Sequence, residues 1–319
     1  MKAAFITGGS GFVGRELIAE LVRRGVTVRA LARSDAASAA VTAAGAATAR
    51  GDLDDRAAME AGMRGTDTVF HAAAYVKQHG TRDVFFRVNV TGTENALAAA
   101  KAAGVKRFVH IGTEAVLADG QPIVRADETR PRTANPAGLY PLTKGLAEAA
   151  VIAANGGGLE TVVVRPRFIW GKGDTTLLPE LVGAVKAGRF GWFGGGHYLT
   201  STCHVQNVVE GTLLAAEKGR PGEIYFLTDG APIEFRAFLT DYIATQGVDA
   251  GARSIPRWIA RAIAAATSWM EQPPVTRVAI ALVGHEVTVD DSKARRELGY
   301  VGRTSREAGL AEMRAAGAA

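Results

Sequence analysis

The sequence contains a single cysteine, Cys203, in 319 residues. No disulfide can form within the chain, and a reducing, cytoplasmic compartment suits it. It also lacks any run of five or more Lys and Arg residues, which argues against a basic nucleic-acid surface. There is no apolar run of membrane-spanning length: the greasiest stretch, 255–270, carries Arg257 and Arg261 and falls short of the roughly 20 residues a span needs. The opening MKAAFITGGSG breaks into glycines too early for a secretory leader. No repeat or low-complexity linker stands out. No spacing supports a metal site, so His197 and His204 read as structural or hydrogen-bonding.

What remains is ordinary globular composition, 47% hydrophobic and 22% charged, with a formal net charge of +5 that suits a small anionic ligand. The first half alternates short β-type runs with longer helical ones. Strands are predicted over 2–7, 26–32, 67–73, 106–113 and 160–166, and helices over 14–25, over 83–103 and from about Tyr140. That alternation predicts an α/β, Rossmann-type doubly wound parallel sheet, with ligands beyond the carboxyl ends of its strands. A composition shift after Pro166 suggests two parts. Residues 1–166 would bind a dinucleotide, and 167–319 would form a smaller α/β substrate-binding region. Part of 200–230, including a late strand over 223–230, is expected to rejoin the main sheet.

The segment TGGSGFVG (7–14) falls at the first strand–helix junction. Gly8, Gly9, Ser10, Gly11, Phe12, Val13 and Gly14 would cradle a pyrophosphate on backbone amides at a helix N-terminus. A plain structural turn is the alternative; the βαβ context favours the dinucleotide. At the end of the second strand stand Arg33 and Ser34 rather than an acid. An arginine there favours the 2′-phosphate of NADP(H), whereas NAD(H) stays open if Asp35 reaches the ribose. Asp52 and Leu53, in GDLDD, would flank the adenine, although Asp52 or Asp54 could equally be a helix N-cap. In HAAA, His71, Ala72 and Ala73 end a strand with small side chains, leaving room for a cofactor against the backbone.

GLYPLTKGLAEAA (138–150) sets Tyr140 four residues before Lys144. On a helix the two stack on one face, where a lysine charge would lower the phenol's pKa. A lone Y-x-x-x-K is more often a surface pair, so the pattern gains meaning only from its neighbours.

Taken together, TGGSGFVG, GDL, HAAA, NVTGT, the Thr113 strand end, YPLTK, RPRFIWGKGD and DDSKARRELGY resemble the extended short-chain dehydrogenases/reductases over nearly the whole chain. The likeness is greatest to the 3β-hydroxysteroid dehydrogenase branch and its bacterial ketoreductases. The resemblance implies that Tyr140 is the general acid for carbonyl reduction and that Lys144 holds the nicotinamide ribose and tunes Tyr140. It also implies that Thr113 hydrogen-bonds the substrate oxygen, with Asn89 and Pro166 on the cofactor side. Relatives of this kind often form homodimers through helices that include the one bearing Tyr-x-x-x-Lys.

Two departures narrow the chemistry. Phe168 stands where nucleotide-sugar epimerases usually carry Asn, and Glu114 is followed by Ala115 rather than by the second acid of sugar dehydratases. Tyr75, Phe168, Trp170, Trp192, Phe193 and Tyr198 are candidates for an apolar substrate wall, each as readily core. In 255–270, Trp258, Ile259, Ala262, Ile263, Ala266, Trp269 and Met270 share one broad helical face that is expected to pack on the body; a lid or a membrane-resting patch is the sharper alternative.

The leading expectation is an NADP(H)-dependent oxidoreductase interconverting a hydrophobic ketone and a secondary alcohol, steroid-like or β-keto-acid-like. An epimerase with retained NAD(P) would instead interconvert sugars without net cofactor turnover. A non-catalytic NADP sensor would have no need of Thr113, Tyr140 and Lys144.

Overall fold

In β1 (Ala3–Thr7) the neighbours Phe5 and Ile6 point to opposite faces, yet both are fully buried. The same holds for Val69 and Phe70 in β4 (Thr68–His71) and for Phe108 and Val109 in β5 (Arg107–Ile111). Strands apolar on both faces belong to a sheet covered on both sides. The computed structural model, which describes residues 1–77 and 79–317, has that sheet. Seven strands lie in the order Ile224–Leu227, Glu160–Pro166, β5, β4, β1, β2 (Thr27–Ala32), β3 (Ala47–Arg50), and every neighbouring pair is parallel. Ile6, Phe70, Val109 and Val164 pack under Leu17, Ile18 and Leu21 of α1 (Phe12–Arg23). Phe5, Val69, Phe108 and Val163 pack under Met59, Met63 and Leu97 on the other side.

The chain leaves β1 towards β2 on one side and reaches β4 on the other, so the loops after β1 and β4 diverge. This switch point opens a crevice above the carboxyl ends of the strands. The helix predicted over 83–103 is present but not uniform: Arg82–Phe85 is α-helical, Phe86–Thr91 is a π turn, and Gly92–Ala102 is α-helical again. Such π segments often sit beside functional sites, and here the wide turn carries the buried Asn89.

Beyond Pro166, Ile224–Leu227 returns to this sheet and Val208, Val209, Leu213, Ala294 and Leu298 pack into its core, while other segments form a cap. Its small four-stranded sheet runs Ile233–Glu234, Leu199–Thr200, Val287–Val289, Ile123–Ala126, so one strand is lent by the first half of the chain. An aromatic cluster of Phe168, Trp170, Trp192, Phe235, Phe238 and Tyr242 forms its core. The 255–270 segment departs from expectation. The helix Arg257–Ala266 buries only Ala260 and Ala264, which meet Ile280, while Trp258 and Trp269 are 72% and 82% exposed. Ala260 and Ala264 make the packed side, Ile259 and Ile263 are half-buried, and the two indoles point outward.

Candidate active site

The turn after β1 begins the site. Gly8 has φ +71°, and a Cβ there would lie 2.5 Å from the Ala73 amide nitrogen; a Cβ on Gly14 would lie 2.1 Å from the Gly8 carbonyl oxygen. Neither space admits a side chain. The Gly11 amide donates to the Gly8 carbonyl at 3.0 Å, closing the turn onto α1. No side chain caps α1, and its first turn holds no acid. The opening amides of α1 have no intrahelical acceptor, so they fit a pyrophosphate.

Two connected lobes flank this turn, both touching Gly8, Gly11, Ala72 and Ala74. The outer lobe, about 290 Å³, is lined by Ser10, Arg33, Asp52, Leu53, Ala73 and Tyr75. The Arg33 guanidinium lies 4.0 Å from the Asp52 carboxylate and is largely solvent-facing. Ser34 is turned to other work, its hydroxyl accepting from the Ala37 amide as the N-cap of the Asp35–Ala43 helix. Asp35 does not line this lobe and pairs with Arg50 at 2.8 Å. The cap of the Arg56–Met63 helix is Asp55 rather than Asp52 or Asp54.

The inner lobe, about 330 Å³, brings Phe12, Val13 and Gly14 together with Thr113, Tyr140, Lys144, Pro166 and Phe168. Tyr140 and Lys144 ride the helix Leu139–Ala153, whose Glu148, a further four residues on, is fully buried. Glu148 accepts two bonds from Arg165, at 2.7 and 2.6 Å, and one from Arg132 at 3.1 Å. This bidentate pair locks the Tyr140 helix onto the strand that ends at Pro166. Asn89 holds the opposite wall: its side chain accepts from the Tyr75 amide at 2.7 Å and donates to the Tyr75 carbonyl and to Thr143.

The electrostatics differ from those expected of Tyr140 and Lys144. The lysine ammonium donates to the Ile111 carbonyl at 2.9 Å and faces His110 Nε2 at 3.3 Å. Burial lowers its pKa to about 8, against the opposing pull of Glu148. The phenol of Tyr140 is pushed up, not down, first by desolvation and then by the Glu114 carboxylate, with the Thr113 hydroxyl opposing. Tyr140 is the neutral phenol at neutral pH, and this environment disfavours its phenolate.

Glu114 and Arg167 escaped the sequence reading as site residues. Both are buried in the inner lobe and joined at 2.9 Å. Thr113 donates its hydroxyl proton to Glu114 at 2.9 Å and accepts from the Ala115 amide. Thr113 thus presents a lone pair to the site, and a bond from it to a substrate oxygen requires its hydroxyl to turn away from Glu114. The one signal for Arg167 was a charge closing the apolar run VVVRPRF.

His71 is also corrected. Its ring is fully buried between Thr7 at 2.7 Å and Thr93 at 2.9 Å, and burial lowers its pKa to about 3. The neutral imidazole braces β4 and cannot reach a cofactor by its side chain.

Of the six aromatic wall candidates, Phe168 lines the inner lobe and Tyr75 the outer one. Phe168 has φ +47°, a strained backbone for a bulky residue, held by edge-to-face packing on Phe235, Phe238 and Tyr242. Trp170 and Trp192 are buried in the cap core, their indole N–H groups on Asp229 and the Gly251 carbonyl. Phe193 packs beside Ala260 and Ile280. Tyr198 stacks on Phe235 and donates to the Val283 carbonyl. None of these four lines either lobe, since an apolar ring satisfies a core as well as a pocket. Beside Phe168, the apolar wall of the inner lobe comes from Val278, Ala279 and Leu282 of the helix Arg277–Val283. His204 lies edge-on to Trp170, and His197 pairs with Glu234.

Comparison with known proteins fits this geometry. The model of the 3-beta hydroxysteroid dehydrogenase/isomerase family matches residues 5–257. The chain is 52% identical to the 4-hydroxy-2-methyl-3-oxo-4-farnesyl-3,4-dihydroquinoline-1-oxide ketoreductase of Stigmatella aurantiaca, covering 99% of this chain and 96% of that one. It is 34% identical to the 2-alkyl-3-oxoalkanoate reductase of Stenotrophomonas maltophilia, covering 98% and 99%. Among solved structures, a dTDP-glucose 4,6-dehydratase from Streptomyces venezuelae with NAD bound superposes with a TM-score of 0.77 at 24% identity, covering 98% of this chain and 95% of that one. That likeness is one of fold.

Proposed function

The chain belongs to the 3-beta hydroxysteroid dehydrogenase/isomerase family, within the extended short-chain dehydrogenases/reductases, and we propose that it uses NADP(H) to reduce a bulky apolar ketone to a secondary alcohol. The observation that carries this reading is that Tyr140 and Lys144 line the same lobe as the glycine turn, opposite an apolar wall of Phe168, Val278 and Leu282. The names of the relatives, ketoreductases of farnesylated-quinoline and β-keto-acid substrates, support an apolar oxo compound with a ring or acyl chain.

The two lobes would hold a dinucleotide end to end, and that group would supply the hydride for the carbonyl carbon. Tyr140 delivers its phenolic proton to the carbonyl oxygen as charge develops there. The Thr113 oxygen orients that phenol, while burial and then Glu114 disfavour its phenolate. The N–H that Lys144 leaves free of the Ile111 carbonyl and His110 would hold a ribose hydroxyl. Phe12, Val13 and Gly14 hold the pyrophosphate, with Ala72 and Ala73 opposite. The outward side of the Leu139–Ala153 helix, where Leu146 is exposed, suits the helix-to-helix contact of a homodimer.

Incubating the protein with NADPH and a panel of apolar ketones tests the reading, with nucleotide sugars alongside. Ketone-dependent loss of NADPH supports it; sugar interconversion without cofactor loss, or no turnover of any substrate, contradicts it.

Two further expectations arise here. Two cations line the outer lobe, Arg33 facing Asp52 and Arg87 facing Asp54; Arg33 follows the end of the second strand, so Arg33→Ser is expected to weaken NADPH binding about tenfold or more while leaving NADH binding unchanged. Parallel titrations check this; equal loss for both cofactors, or for neither, contradicts a 2′-phosphate contact. Lys144, with its pKa lowered to about 8 by burial, loses its charge as pH rises. In the free enzyme kcat/KM for the dinucleotide is therefore expected to fall through that pH. A profile flat to about pH 10 counts against a charged Lys144 at the ribose.

A further inference from the structure

We infer that His110 is a positioning residue: its Nε2 accepts from the Lys144 ammonium and so fixes where that charge points, towards a bound dinucleotide. The inference rests on the proposed contact of Lys144 with the nicotinamide ribose. The last two residues of β5 hold the ammonium between them, Ile111 through its carbonyl at 2.9 Å and His110 through Nε2 at 3.3 Å. An ammonium has three donors and no acceptor. One strand end takes two of the three, and the third is left for the inner lobe, which Lys144 lines.

The bonding of this ring differs from that of a histidine that serves the core. Its neighbour His71, stacked on it with ring centroids 5.4 Å apart, has both nitrogens bonded, Nδ1 to Thr7 and Nε2 to Thr93. His110 is as deeply buried, yet its Nδ1 meets no partner among the described residues. A charged Lys144 can only donate, so Nε2 is the acceptor and the ring proton sits on Nδ1. A buried donor without a partner costs stability. The ring bears that cost in the orientation that serves Lys144.

A neutral acceptor beside an ammonium favours its charged form. Burial first, then the Lys144 charge and His71, keep the His110 imidazole well below its ordinary range, so the ring stays neutral and able to accept. The other titratable or charged groups around Lys144 are Tyr140 and Glu148 on its own helix and His71 behind the His110 ring. Glu114, Arg167 and Lys77 line the same lobe. Glu148 also favours the ammonium, but its carboxylate is bonded to Arg165 and Arg132. Burial already draws Lys144 down to about 8, so loss of the His110 acceptor should carry its titration into the neutral range.

NADPH binding by the full chain is followed by fluorescence from about pH 6.5 to about pH 10. No ketone is present, so the outcome does not depend on whether the site reduces one. The parent affinity is expected to fall through about pH 8. In His110→Phe, a ring without an acceptor, the midpoint should come about one pH unit lower or more. His110→Gln, whose amide oxygen can take the Nε2 place, should return it towards the parent value. Circular dichroism checks each fold. If Phe is not tolerated, His110→Asn, whose shorter amide stands nearer Nδ1, carries the same expectation. A Phe or Asn variant whose affinity falls where the parent's does overturns the inference and leaves Lys144 at the ribose. Equal shifts in the Phe and Gln variants also overturn it, because packing rather than the acceptor would then be the cause. A parent profile flat through this range removes Lys144 from the ribose, and the inference falls with it.

Discussion

Tyr140→Phe is expected to lower kcat for ketone reduction by about 10²–10⁴, the usual worth of a positioned general acid, with dinucleotide affinity essentially unchanged. The variant removes one oxygen from a half-buried ring in the inner lobe and leaves the glycine turn and Lys144 in place. The phenol is the residue from which the proton must come. Lys144 is committed to the Ile111 carbonyl and His110, and Thr113 gives its proton to Glu114. Steady-state rates and cofactor titration by fluorescence check both halves. A loss below about tenfold would mean that another donor protonates the oxygen.

The largest stability effect is expected at Glu148. Its carboxylate is fully buried, and the Arg165 side chain is 2% exposed, so Glu148→Ala leaves a guanidinium in the core with no counter-charge. Breaking such a pair costs about 3–5 kcal/mol, measurable as a lower denaturation midpoint in urea. Because Arg165 adjoins Pro166 on the cleft-lining strand end, the site should loosen as well. Glu148→Leu/Arg165→Met removes both charges and should recover much of the loss. A double variant no more stable than Glu148→Ala would show that the cost lies in packing rather than in the stranded charge.

Much of the fold could be read locally. Strands apolar on both faces, glycines at the first strand–helix junction and the i, i+4 spacing of Tyr140 and Lys144 are short-range patterns, and each has a direct structural consequence. What could not be read depends on distant partners. Lys144 lies 33 residues from Ile111 and Glu114 lies 53 from Arg167, and these contacts fix where the two charges sit in the site. Spacing alone predicts a lowered Tyr140 pKa, whereas burial and then Glu114 raise it. Aromatic content could not separate wall from core, so Trp170 and Trp192 stood beside Phe168 until the cap's packing distinguished them. Periodicity revealed an apolar face on 255–270 but not which way it turned; Ala260 and Ala264, small enough for close approach, settled the packing side. The π turn carrying Asn89 leaves no mark in hydrophobic spacing.

Hydride transfer tests the central claim most directly. NADPH carrying deuterium at the transferable C4 position is incubated with the protein and an apolar β-oxo ketone, and the product is analysed by mass spectrometry. The account predicts one deuterium on the new carbinol carbon, with one cofactor oxidised per alcohol formed, and loss of both in Tyr140→Phe. Cofactor bound but not oxidised, with label retained and no alcohol formed, would contradict it.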